Sequence, residues 1–197
     1  MPVVIAGLIL SFLLMMLFGD SELDRALLML LDGSGLPNLA QAAAIIHWCA
    51  QPLPLLVVIV AGAALLLALR RWQEAALLGG IAIAGWLLTL AAQHLTLPLG
   101  PTSGASATTG AVYPDMSAAL ATIAGFATAF LLTHRSPARA WALAGAAGFT
   151  LTAGVAAIVA DRVWPSSVVG GWALGLAWTL TILLLARADI GDGARSR

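Results

Sequence analysis

Six stretches of this chain are apolar for long enough to cross a lipid bilayer, and together they leave room for little else. They run over about 2–18, 52–69, 75–96, 116–133, 139–160 and 166–187. A helical span needs about 20 apolar residues, with about 17–25 tolerated. Lipid offers no water to backbone N–H and C=O groups, so such runs must be helices that close their own hydrogen bonds. Composition points the same way: 61% of the residues are hydrophobic and only 9% charged, far from the balance of a water-soluble domain. The expected fold is therefore all-α, a polytopic membrane protein with six transmembrane helices. One domain covers 1–188, followed by a short polar tail over 189–197. The first run has no basic residue at its start and no small-x-small cleavage site ahead of Gly19-Asp20-Ser21, so it is read as a retained span.

Arginine sets the orientation, because the chain contains no lysine. Arg70 and Arg71 follow the second run, Arg135 and Arg139 the fourth, and Arg187, Arg195 and Arg197 the last. Alternating spans place these segments on one face, and they hold seven of the nine arginines. The positive-inside rule assigns that face and both termini to the cytoplasm. Richness in Ala, Gly and Leu without lysine suggests a GC-rich bacterial genome, so the expected location is a bacterial inner membrane. Trp48, Trp72, Trp141 and Trp164 fall near predicted span ends, where interfacial anchors belong.

The segment 19–51 is too long for a tight turn. Acidic residues Glu22 and Asp24 precede an apolar run, Ala26 to Leu31, which predicts an amphipathic helix on the outer face. Ser21 is placed to cap it, with Asp24 three residues later supplying a capping-box carboxylate. Asp32-Gly33-Ser34-Gly35-Leu36-Pro37 reads as a break. A second helix over about 38–50 then continues toward the second span through a bend at Pro52 and Pro54. Cys49 is the sole cysteine, which excludes an intrachain disulfide, and a net charge of zero argues against nucleic acid as a partner. No internal repeat is evident.

The last run opens Val163-Trp164-Pro165-Ser166-Ser167-Val168-Val169-Gly170-Gly171-Trp172. With the order of spans and loops, this resembles the type-2 phosphatidic acid phosphatase superfamily, which includes lipid phosphate phosphatases and vanadium haloperoxidases. The resemblance covers roughly 23–187. It implies six spans, an extracytoplasmic site and three signatures: Lys-x6-Arg-Pro, Pro-Ser-Gly-His and Ser-Arg-x5-His-x3-Asp. The first falls on Gln93 to Pro101, with Gln93 at the lysine position and Gly100 at the arginine position. The second falls on Pro114-Asp115-Met116-Ser117, with Ser117 at the histidine. The third runs from Ala156 to Ser167, with Ala157 for arginine, Val163 for histidine and Ser167 for aspartate.

In the superfamily the third-signature histidine attacks phosphorus, and its aspartate partner orients the ring. The second-signature histidine protonates the leaving alkoxide, while lysine and arginines neutralise phosphate charge. A valine cannot attack phosphorus, and Gln93, Gly100 and Ala157 carry no charge. Phosphoryl transfer rests mainly on positioning and electrostatics, so losing three cations is as damaging as losing the nucleophile. The expectation is a catalytically inactive protein on a lipid-phosphatase-like scaffold, a lipid-binding or accessory subunit of a membrane complex, with no cofactor. Its partners would be membrane lipids and possibly a membrane protein. The alternative is a lipid phosphate or pyrophosphate phosphatase with an altered site. Polar residues available for one are His94, Tyr113, Asp115, Asp161 and Arg162. A metal held by His94, Asp115 and Asp161, or Ser117 activated by His94, lacks any supporting local spacing. Glycines in the later spans suit close helix approach, a lipid groove or a neighbouring subunit.

Overall fold

The structure, a computed structural model, describes residues 6–7, 9–10, 13, 21–31, 37–96, 113–134, 136–160 and 163–195, with side chains as far as residue 186. Among these residues all regular structure is helical: α1 (Glu22–Leu31), α2 (Pro37–Cys49), α3 (Pro52–Ala68), α4 (Trp72–Thr96), α5 (Met116–Thr133), α6 (Arg139–Val159) and α7 (Pro165–Arg195). Four of them, α4 to α7, are each long and apolar enough to cross a membrane. The pair α2–α3, bent by 49° where the sequence places its prolines, passes the same test of length and hydropathy when taken together, as a broken span or a re-entrant loop. Gln51 caps α3 in an extended conformation and Pro52 takes the first helical position, where a missing N–H costs nothing. The first predicted span, 2–18, lies mostly outside the described residues. Its described positions Ala6, Gly7, Ile9, Leu10 and Leu13 are helical. Gly7 sits against α7, where an added Cβ would come within 2.2 Å of that of Ala177.

The bundle is organised around α5. Every residue from Ser117 to Ala124 is buried, and most are small, so neighbouring backbones can come close. Both α6 and α7 pack along α5 but touch one another little. Gly171 and Gly175, one turn apart on α7, make the approach possible: a Cβ on either would lie 2.6 Å from Asp115 O or 2.7 Å from Ala119 O. On the other flank, α4 meets α7 through Trp178, whose Nε1 donates to Ile81 O at 2.9 Å. Gly79, Gly80, Gly145 and Gly148 face open space instead. Thr89, Thr122 and Thr181 donate their hydroxyls to the carbonyl four residues earlier, the usual way to carry a polar group inside a membrane helix.

One end of the bundle carries Arg70, Arg71 and Arg139. Arg70 closes α3 in the left-handed region at φ 58°, and Arg71 N reaches back to Leu66 O at 2.8 Å. The Arg71 guanidinium then binds Glu74, His134 Nδ1 and the last carbonyls of α5, Leu131 O and Leu132 O. A cation at a helix C-terminus offsets the partial negative charge of unpaired carbonyls.

Two local expectations change. Trp48, Trp72 and Trp141 are exposed, but Trp164 is buried and belongs to the packing at the head of α7 rather than to an interfacial belt. Ser21 does cap α1, accepting from Asp24 N at 3.2 Å, yet the Asp24 carboxylate does not complete a capping box. It points into the bundle. The helix also continues past the predicted end of the last span, to Arg195.

Candidate functional site

The other end of the bundle gathers most of the positions where the three signatures fall. It is built from the C-terminal ends of α4 and α6, the N-terminal ends of α5 and α7, and the first turn of α1. Gln93, on the last turns of α4, donates from Nε2 to Pro114 O at 2.9 Å. Thr96, one turn on, bonds Tyr113 O. These contacts fix the entry to α5. Asp115 is its N-cap: the side chain accepts from Ala118 N at 2.7 Å and from the Ser117 hydroxyl at 2.6 Å. Its own N–H donates to Ser167 O at 3.0 Å, tying the head of α5 to the head of α7.

The head of α7 receives a second carboxylate. Asp24, only 3% exposed, accepts from Ser166 N at 2.9 Å and from the Ser166 hydroxyl at 2.7 Å. This joins residues 142 positions apart and supplies α7 with the acceptor that its N-terminal N–H groups require. Asp24 was not among the sequence candidates, although its spacing carries a signal. Leu28 and Leu31, four and seven residues on, share its helix face and pack against the apolar cluster of Ala118, Ile158 and Val168. A carboxylate on a face otherwise turned inward must meet a donor.

The remaining positions are apolar or closed. Ala157 is fully buried on α6, and Val163 packs on the same cluster as Ala118, Ile158 and Val168. Ser117 and Ser167 are buried. The Tyr113 ring is buried over Gly170, where an added Cβ would stand 2.3 Å from the phenol oxygen. Gly154 on α6 is filled in the same way by Trp172. Burial pushes the Asp115 carboxyl, which precedes its span, above the ordinary 3.8, against the lowering pull of Ser117 and Ala118. His94 is exposed and makes no hydrogen bond with the described residues, so it does not meet Ser117, whose hydroxyl goes to Asp115. Gly100, Asp161 and Arg162 lie outside the described residues. Among those described, no group of three or more His, Cys, Asp or Glu side chains could hold a metal ion.

No protein-family model matches the sequence, and no curated protein does. A solved structure matches over 95% of this chain and 98% of its own, with a TM-score of 0.77 and 16% identity: the transmembrane PAP2-type phosphatidylglycerolphosphate phosphatase from Bacillus subtilis. The chain has the PAP2-type phosphatase fold. Within that fold Gln93, Ser117, Ala157, Val163 and Ser167 lie at one end of the bundle. The side chains there bind one another and the helix ends.

Proposed function

We propose that this protein is a non-catalytic member of the PAP2-type architecture, acting as a lipid-binding or accessory subunit of a membrane complex. The observation that carries this reading is the state of the signature end. Its two buried carboxyl groups among the described residues are already committed, Asp24 to Ser166 and Asp115 to Ser117 and Ala118. The described positions that would supply cations and a nucleophile are Gln93, Ala157 and Val163. These described positions offer a phosphate neither positive charge nor a group to attack it. Loss of phosphate-binding charge also makes a phosphate head group a poor ligand there, which favours a protein partner over substrate capture at that end. The arginine-rich end and both termini would lie in the cytoplasm of a bacterial inner membrane, with the signature end facing outward.

The test is phosphate release from phosphatidic acid, phosphatidylglycerol phosphate and undecaprenyl pyrophosphate by the purified protein in mixed micelles. A motif-intact PAP2-type phosphatase serves as the active control. The expected result is no release above background. Turnover that disappears in Asp115→Ala or Asp161→Ala would establish the other reading, a phosphatase with a rebuilt site, and overturn this one.

A further inference from the structure

At the arginine-rich end, α6 and α7 diverge over α5 and leave a groove of about 350 Å³. Its walls are Phe126 and Phe130 of α5, Leu143 of α6, and Leu176, Leu180 and Leu184 of α7. Two features separate it from an ordinary gap between helices. At its rim the Arg139 guanidinium is held 4.7 Å above the Phe130 ring, and among the described residues no carboxylate pairs with it. Inside, Thr179 is 1% exposed and its hydroxyl has no hydrogen-bond partner among the described residues, although Thr181 on the same helix bonds the carbonyl four residues back. A buried hydroxyl without a partner costs free energy, and a half-buried cation at the mouth of an apolar groove favours an anionic head group.

We infer that the α6–α7 groove is a binding site for an anionic glycerophospholipid, its phosphate on Arg139, its ester region against Thr179 and one acyl chain along Leu176, Leu180 and Leu184. Arg139 stands at the rim, and the apolar wall of α7 runs inward from Leu184 through Leu180 to Leu176, with Thr179 beside Leu180. From Leu176 to Leu184 the helix rises by about 12 Å, enough to lie along a good part of a chain. Arginine suits the task because its planar fork binds phosphate with paired donors, and basic pockets between membrane helices are known to hold lipid head groups. The site lies at the opposite end from the signature positions, so it stands whether or not those positions catalyse anything.

The test uses full-length protein, delipidated in detergent, offered palmitoyl-oleoyl phosphatidylglycerol or phosphatidylcholine and examined by native mass spectrometry. Wild type should retain one phosphatidylglycerol in preference to phosphatidylcholine by on the order of fivefold. Arg139→Gln should abolish the preference. Leu180→Trp, at a position 53% exposed and so free to fill the groove without crowding the core, should abolish retention of either lipid. Thr179→Val gives a signature that misfolding cannot mimic: it should raise the thermal stability of the lipid-free protein while weakening retention. Equal retention of both lipids, unchanged by any variant, would mean a nonspecific lipid shell and overturn the inference. It would be overturned equally if Leu180→Trp left lipid retention intact but released a second protein chain, since the groove would then seat a helix.

Discussion

The Asp24–Ser166 contact makes α1 part of the fold rather than an appendage, and its removal should be costly. In Asp24→Ala the Ser166 N–H and hydroxyl would lose both acceptors, at 2.9 and 2.7 Å, inside a region where Asp24 itself is 3% exposed. Loss of an N-cap costs about 0.5–2 kcal/mol. A hydrogen bond to a charged group contributes about 1.5–3 kcal/mol, and a donor left buried without a partner costs about 1–3. These figures describe partly the same N–H group, so the expected total is about 2–4 kcal/mol. Asp24→Asn keeps one oxygen for the backbone N–H, and its amide can donate to a Ser166 hydroxyl that reverses its role, so the loss should fall to about 1 kcal/mol. Ser166→Ala removes only the hydroxyl and should cost about 1 kcal/mol. The assay is equilibrium unfolding in mixed micelles, followed by tryptophan fluorescence, on wild type, Asp24→Ala, Ser166→Ala and the double variant. A coupling energy of about 1–2 kcal/mol is expected for two residues in one network. If Asp24→Ala lay within about 0.5 kcal/mol of wild type, as surface substitutions do, or if the coupling were zero, the claim that Asp24 holds α7 would be refuted.

Two further outcomes follow from the packing and the cap. Gly175→Val must force a side chain against Ala119 O, 2.7 Å from its Cβ, and should destabilise by about 1–3 kcal/mol, whereas Gly80→Ala on the open face of α4 should gain up to about 1 kcal/mol. The same unfolding assay separates them, and equal effects would contradict the assigned helix faces. For Asp115, the folded carboxyl is raised above 3.8 by burial, so the stability linked to its proton is complete below 3.8 and declines as pH rises through the raised value. Asp115→Asn, an equally good cap, should remove that decline; a pH profile unchanged by the substitution would show that Asp115 is not its source.

The spans were legible because hydropathy and length are local properties. Predicted runs at 52–69 and 116–133 correspond to Pro52–Ala68 and Met116–Thr133. The bend near Pro52 and the helix before it were equally readable, since proline acts on its own neighbourhood. What local pattern does not carry is the partner of a side chain. Asp24 was read as a capping-box residue because Ser21 stands three residues before it, and half of that motif forms. The other half loses to Ser166, whose N–H sits at a helix start and has no carbonyl of its own to meet. Trp164 illustrates the same limit. Proximity to a span end suggested an interface, but its ring is enclosed at the head of α7. That Gln93, Ser117, Ala157, Val163 and Ser167 lie at one end of the bundle is beyond local pattern, because no local rule joins residues from separate helices.

That convergence also explains how the end of the bundle can be closed. In the signatures, cations surround a bound phosphate, and an empty site of that kind must stay hydrated because like charges cannot be packed dry. At the positions where the resemblance would place cations and the nucleophile stand Gln93, Ala157 and Val163, none of which carries a charge that demands water. Two buried carboxyl groups, Asp24 and Asp115, lie at the same end. The structure gives each of them a helix N-terminus instead: Asp115 caps α5 and Asp24 caps α7, each with a serine hydroxyl as a second donor. Backbone N–H groups and the positive end of a helix supply part of what a cation would, without a side chain to desolvate. With its charges met in this way the end can fill with Tyr113, Trp164 and Val168, and the helices can close to the contact that Gly171 permits. Placing a histidine at Val163 alone would therefore set an imidazole in a packed apolar cluster beside Ile158 and Val168, with a serine rather than an aspartate at 167 and an alanine rather than an arginine at 157.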